Sequence, residues 1–271
     1  MPPFVMWFLV AGTGACVGSF LNVCIHRLPR RVSIVRPRSA CPGCGKLIAW
    51  HDNIPVLSYL FLGGRCRHCR ASISLRYPLV EASTSVLYAL LFLKRGLTLD
   101  FALEALLLAA LLALMVIDAL HQILPNAITL PGIALGLLSS PLRGTAGRPV
   151  IDALAGGALG FALPWAINEA YRLWQAARGV PRGRREDGIG QGDFKLLAMI
   201  GAFLGVKLVL FTLFFGAVSG AIFGVAMMLW RGYGWKSKLP YGVFLGGAAI
   251  LAVFVGDPWV RLYLDLAGVG P

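Results

Sequence analysis

The chain has 271 residues, 58% of them hydrophobic and only 14% charged, with a mean hydropathy of +0.75. A soluble domain carries roughly a quarter charged residues, so this composition excludes one and describes a polytopic membrane protein. The formal net charge of +13 would point to nucleic acid in a soluble protein. Here the basic residues fall between apolar runs, where they mark one side of a bilayer, and nucleic acid is not expected as a partner.

The first apolar run, Phe4 to about Ile25, starts almost at Met1 with no basic segment before it, and reads as a retained span rather than a cleaved signal. Gly12, Gly14 and Gly18 within it suit close helix packing. A polar insert from His26 to Arg76 follows, with ten Lys/Arg and four of the six cysteines. Cys16 and Cys24 read as small packing residues.

Further apolar runs lie at about Tyr77–Leu93, Leu99–Ile117, Ala127–Ser139, Ile151–Trp174, Leu196–Leu204, Val206–Trp230 and Tyr241–Leu262. The stretch Leu196–Trp230 is too long for one crossing of about 20 residues and is divided at Gly205-Val206-Lys207. The expected fold is all-α, with about eight transmembrane helices and a small cytoplasmic insert between helices 1 and 2. Its expected divisions are the first helix (1–25), the insert (26–76) and a multi-helix membrane domain (77–271). Alternating sides from a cytoplasmic insert puts nineteen Lys/Arg inside and six outside, which is the asymmetry a membrane protein shows.

That orientation places two acids at one membrane face. Asp118 ends the third span and Asp193 begins the sixth, within Gly190-Gln191-Gly192-Asp193-Phe194-Lys195. An acid at a membrane boundary is costly unless paired, solvated or used. Two carboxylates within reach share a proton, so one can act as base on a water while the other donates to a carbonyl oxygen. Gly190 and Gly192 let the backbone bend and approach a substrate strand. Lys195 reads as a positive end snorkelling to phosphate. Alternatively, each aspartate is a solvated or helix-capping residue. The other acids fit a shared face less well, and Glu169 can simply pair with Arg172.

Cys41-Pro-Gly-Cys44 and Cys66-Arg-His-Cys69, 21 residues apart, read as a four-thiolate zinc site. A closed four-ligand site is structural, and a small insert needs such a staple. His68 is read as a bystander.

Together these residues resemble the type IV prepilin peptidases, bifunctional leader peptidase/N-methyltransferases of the GxGD aspartic protease class. The resemblance covers most of the chain: Gly18-Ser19-Phe20-Leu21-Asn22-Val23 with Arg27-Leu28-Pro29, the cysteine pairs, and Trp50, Asp52-Asn53-Ile54-Pro55 and Leu57-Ser58-Tyr59 between them. It continues through Ile73-Ser74, Arg76-Tyr77-Pro78-Leu79-Val80-Glu81, Ile117-Asp118, Leu124-Pro125, Ile128-Thr129, Gly190 to Lys195 and Lys238-Leu239-Pro240-Tyr241-Gly242. Asn126 stands where many members have Asp, and Val243 where many have Pro.

The resemblance implies Asp118 and Asp193 as the catalytic pair, with Lys238, Pro240 and Gly242 shaping the site. It implies cleavage of a basic leader after its terminal glycine in prepilin or pseudopilin precursors, at the cytoplasmic face of the bacterial inner membrane. It also implies methylation of the new N-terminus with S-adenosylmethionine, for which Glu81 is a candidate. Two other classes remain open: a proton-coupled transporter using the same carboxylates as a relay, and an assembly scaffold with the zinc insert as a docking module. Membrane lipids are expected partners in each case.

Overall fold

The computed structural model describes residues 3–143, 150–181, 183, 187–231 and 239–268. Each apolar run of the sequence lies in a helix. The α-helices among the described residues are α1 (Pro3–Arg27), α2 (Leu57–Phe61), α3 (Arg76–Arg95), α4 (Leu99–His121), α5 (Asn126–Ser139), α6 (Val150–Ala177), α7 (Gln191–Arg231), α8 (Tyr241–Leu251) and α9 (Asp257–Leu266), with a π-helical turn joining the last two. The β-structure described is confined to two isolated bridges in the insert.

The chain divides into two compact units, Met1–Ala113 and Leu114–Pro271, with α4 running from one into the other. In the first unit, α1 lies against α3 across small residues. A Cβ on Gly14 would stand 2.8 Å from Ser85 Cα, and one on Gly18 2.6 Å from Glu81 Cα. Backbones this close let polar groups bond between helices: Ser85 Oγ donates to the Ala11 carbonyl (2.9 Å) and Asn22 Nδ2 to that of Tyr77 (3.0 Å). The start of α4 is tied to α3 by Arg95, which grips Glu104 through both carboxylate oxygens (3.0 and 2.7 Å).

The second unit is built around α7, which packs on α5, α6 and α8. Gly156 meets Gly201, and Gly160 meets the Leu197 carbonyl, so α6 and α7 touch backbone to backbone. At 41 residues α7 would be about 60 Å long if unbroken, roughly twice a bilayer core. It is broken at Gly205, whose φ of 78° and ψ of −178° leave the helix. A break inside an apolar helix frees carbonyls before it and amides after it. The Phe203 carbonyl accepts from buried Arg143 (2.6 Å), and the Val206 N–H donates to Asp152 Oδ1 (3.1 Å). A cation thus meets the C-terminal end of one half and an anion the N-terminal end of the next, as the helix dipoles favour.

By length and composition, five helical stretches among the described residues can cross a membrane: Phe4–Arg30, Leu99–His121, Val150–Ala177, Gln191–Trp230 and Tyr241–Leu266. This is fewer than the eight expected spans for three reasons. α5 is short, α3 carries Arg76, Glu81, Lys94 and Arg95 in twenty residues, and the two halves of α7 form one continuous stretch.

Candidate active site and metal centre

Asp118 lies three residues from the end of α4 and Asp193 in the first turn of α7. Both are buried, with 5% and 9% exposure. Helix dipoles favour an acid in a first turn, but not one near a C-terminal end, so Asp118 is held against its local preference. The first-turn amides of α8, Gly242 and Val243, face its carboxylate. The Val243 N–H also donates to the Pro240 carbonyl at the helix start (3.2 Å). Nevertheless Asp118 Oδ2 forms no hydrogen bond among the described residues and is shielded from solvent. A buried polar atom without a partner is uncommon and points to a group that binds or reacts.

Leu124 lies against both Gly192, next to Asp193, and Gly242, which faces Asp118 Oδ2.

Glycines stand close to each acid. A Cβ on Gly242 would lie 2.9 Å from Asp118 Oδ2 and 3.1 Å from Leu124 Cδ2. One on Gly190 would lie 3.1 Å from Asp193 Oδ2, and one on Gly192 would lie 3.0 Å from Leu124 Cβ. Leu124 therefore sits against both glycine segments, a role its sequence position did not disclose. Pro240 is the residue before α8 and sets its start. Lys238 lies outside the described residues. Lys195, expected to reach phosphate, instead donates to Asn126 Oδ1 at 2.9 Å, joining the first turn of α7 to the start of α5.

Asn168 was missed. It is 3% exposed on α6, and its Oδ1 accepts from the N–H groups of Gly188 (2.8 Å) and Ile189 (3.3 Å). Its Nδ2 donates to Asp187 Oδ1 (3.3 Å), which also accepts from Arg172 Nε (2.7 Å). Arg172 in turn pairs with Glu169 (3.0 Å), as the spacing suggested. The loop running into Gly190 is thus fastened to α6 by one buried amide. The signal available in the sequence was an Asn in an apolar helix, which is costly unless its hydrogen bonds are met.

In the first unit the four cysteine sulfurs lie within 4.8 Å of one another. Cys41 and Cys69 Sγ are 3.7 Å apart, close to the edge of about 3.8 Å of a tetrahedron with metal–sulfur bonds near 2.3 Å. The two halves repeat one local design. Bridges Ala40–Leu47 and Arg65–Ser72 flank the pairs, and the residue after each second cysteine, Gly45 or Arg70, has φ of 70° or 59°. Amides of Cys69 and His68 face the Cys66 sulfur and hold its pKa down to about 6. The Cys69 sulfur also faces an amide, that of Ala71, but desolvation and the neighbouring sulfurs push its pKa up to about 11. Four sulfurs this close are readily all thiolate only around a cation, and four thiolates at these distances fit zinc. His68 lies outside the cluster.

Glu81 is buried in α3, and its Oε2 accepts the Val56 N–H at 2.7 Å. Val56 has φ of 61°, rare for a β-branched residue, so this bond fixes a strained point of the insert.

The fold and these sites define a class: a multi-pass membrane protein with two buried aspartates in its helices and a four-cysteine cluster. Residues 13–95 match the model of the bacterial peptidase A24 N-terminal domain, and residues 105–225 that of the type IV leader peptidase family. The chain is 37% identical to a prepilin leader peptidase/N-methyltransferase of Pseudomonas aeruginosa, over 94% of this chain and 92% of that one. It is 43% identical to one of Myxococcus xanthus (85% and 65%) and 37% identical to one of Aeromonas salmonicida (97% and 95%). No solved structure matches. The chain belongs to the type IV leader peptidase family, and is an enzyme with peptidase and N-methyltransferase activity.

Proposed function

We propose that this protein removes the basic leader of type IV prepilins or pseudopilins after the leader's terminal glycine and then methylates the new N-terminal residue. The reading places the reaction at the cytoplasmic face of the bacterial inner membrane. The observation that supports it is that Asp118 and Asp193 are both buried, with Gly242 closing on Asp118 Oδ2 and Gly190 on Asp193 Oδ2. One carboxylate takes a proton from water as its oxygen bonds to the scissile carbonyl carbon, while the other carboxyl protonates the carbonyl oxygen. Collapse breaks the C–N bond, and the leaving amine takes up a proton. The glycines leave room for an extended substrate strand, and Lys195 and Pro240 hold the segments around the acids.

The proposed membrane layout has eight segments, with α7 divided at Gly205 and α8 to α9 crossing together. Residues 1–25 form the first helix, 26–76 the zinc module and 77–271 the peptidase body. Zinc is a structural staple on Cys41, Cys44, Cys66 and Cys69. S-adenosylmethionine supplies the methyl group, and Glu81 is the candidate residue for that half-reaction. Lys238 is retained as a site residue on the sequence resemblance alone.

Incubating the purified protein with a prepilin and weighing the products tests this. Loss of the leader mass, followed by a gain of about 14 Da when methyl donor is added, is expected. An unchanged precursor mass with well-folded protein overturns the reading.

A further inference from the structure

The polar insert exposes an apolar face that the peptidase reading leaves without a task. In α2, Leu57, Leu60 and Phe61 are exposed, the last two to 66% and 87%, and Trp50 in the adjoining 3-10 turn is exposed to 78%. Scattered exposed apolar residues are ordinary, but a patch of large ones marks an interaction surface. The insert is also strongly basic, with ten Lys/Arg and one acid, Asp52, between His26 and Arg76. Arg67 neutralises that acid at 2.6 Å and lowers its pKa through the hydrogen bonds it donates.

The depth of the patch is fixed by contacts already described. The N–H of Val56, the residue before α2, is held by Glu81 in the second turn of α3. Glu81 lies five residues beyond Arg76, about 7.5 Å along the helix axis. α3 is packed backbone to backbone on α1, which is long and apolar enough to cross a membrane. Arg27 at the end of α1 bonds the Ser33 (2.9 Å) and Pro37 (2.7 Å) carbonyls, so the start of the insert is tied at the same end. The beginning of α2 therefore lies at the level of the ends of the helix pair, where an interfacial helix sinks its apolar face about 5–10 Å into the headgroup boundary.

We propose that the face formed by Trp50, Leu57, Leu60 and Phe61 is a membrane-interfacial foot, inserted in the headgroup region of the leaflet beside it and favoured by anionic lipid. Trp suits that boundary, and basic residues near an anionic surface are drawn to it. The foot holds the cysteine module against the bilayer. This inference needs α1 and α3 in the membrane but not the catalytic assignment.

The test uses the full-length protein with Phe61→p-benzoylphenylalanine, reconstituted in phosphatidylethanolamine/phosphatidylglycerol vesicles, illuminated and weighed intact. The expected product is a lipid adduct, with a yield at least threefold higher than in phosphatidylcholine vesicles at low salt. Equal yields overturn the anionic preference. An unmodified mass, a cross-linked pair of chains, or an adduct with added prepilin in place of lipid overturns the foot itself. A second variant, Leu60→Asp in a chain labelled instead by Trp50→p-benzoylphenylalanine, is expected to cut the lipid adduct at least fivefold with the four cysteines still protected from alkylation. An unchanged yield there counts against the proposal.

Discussion

Gly242 approaches Asp118 so closely that a side chain on it would place its Cβ 2.9 Å from the unpartnered Oδ2. The first turn of α8 thus belongs to the proposed reaction centre through its backbone. Gly242→Ala must push either Asp118 or Leu124 aside, and a displacement near 1 Å can cost about 10²-fold in rate. The expected result is a loss of that order in kcat for leader cleavage with little change in melting temperature. A wild-type rate would remove Gly242 from the site.

Asp118→Asn and Asp193→Asn each delete one half of the proposed acid–base couple. Each is expected to lower cleavage by about 10²–10⁴-fold or more, while the protein inserts normally. Methylation of an already processed substrate should continue in both, because the candidate for that step, Glu81, lies in the other compact unit. Retained cleavage in both variants sinks the assignment.

Asn168 holds the loop before Gly190 without sharing in the chemistry. Asn168→Ala removes three hydrogen bonds, each worth about 1 kcal/mol net. The Gly188 and Ile189 amides can then turn to water, so stability should change modestly. Loosening the loop should instead lower kcat by about tenfold with KM nearly constant. A melting-temperature drop with unchanged kcat would reduce Asn168 to a packing role.

Metal analysis of freshly purified, reduced protein should find one zinc per chain. Chelation or Cys41→Ser should remove it and speed proteolysis within residues 26–76. Structural zinc contributes on the order of 10 kcal/mol in small modules. A protease-resistant insert without metal would contradict the staple.

The bond from Lys195 to Asn126 predicts that Asn126→Asp is tolerated or slightly stabilising, since it turns a neutral acceptor into a charged one. At this exposed position the gain should lie within about 1 kcal/mol. If Lys195 served only to reach lipid phosphate, Asn126→Ala would leave thermal stability and activity unchanged, whereas loss of the bond should lower both slightly.

Much of the helical layout was legible because the bilayer sets a length scale and apolar runs must close their backbone hydrogen bonds internally. The break at Gly205 could be read from length alone, since a helix of α7's size overshoots the bilayer. The partners that satisfy it could not be read, because Arg143 and Asp152 are distant in sequence from Phe203 and Val206. The same holds for Asn168, whose three partners all lie across a turn of chain.

By itself the sequence determined that this is a membrane protein, that four cysteines stand at metal-ligand spacing, and that two acids stand at the boundaries of apolar runs. These follow from composition, local spacing and alternation of charge. Only the tertiary structure decided that Asp118 meets the α8 amides, that Leu124 joins both glycine segments, and that Lys195 bonds Asn126. It also decided that Glu81 accepts the N–H of Val56 and so ties the start of α2 to α3. Such contacts depend on how closely helices approach, and that distance is set by glycines and side-chain shapes on different elements rather than by any local pattern.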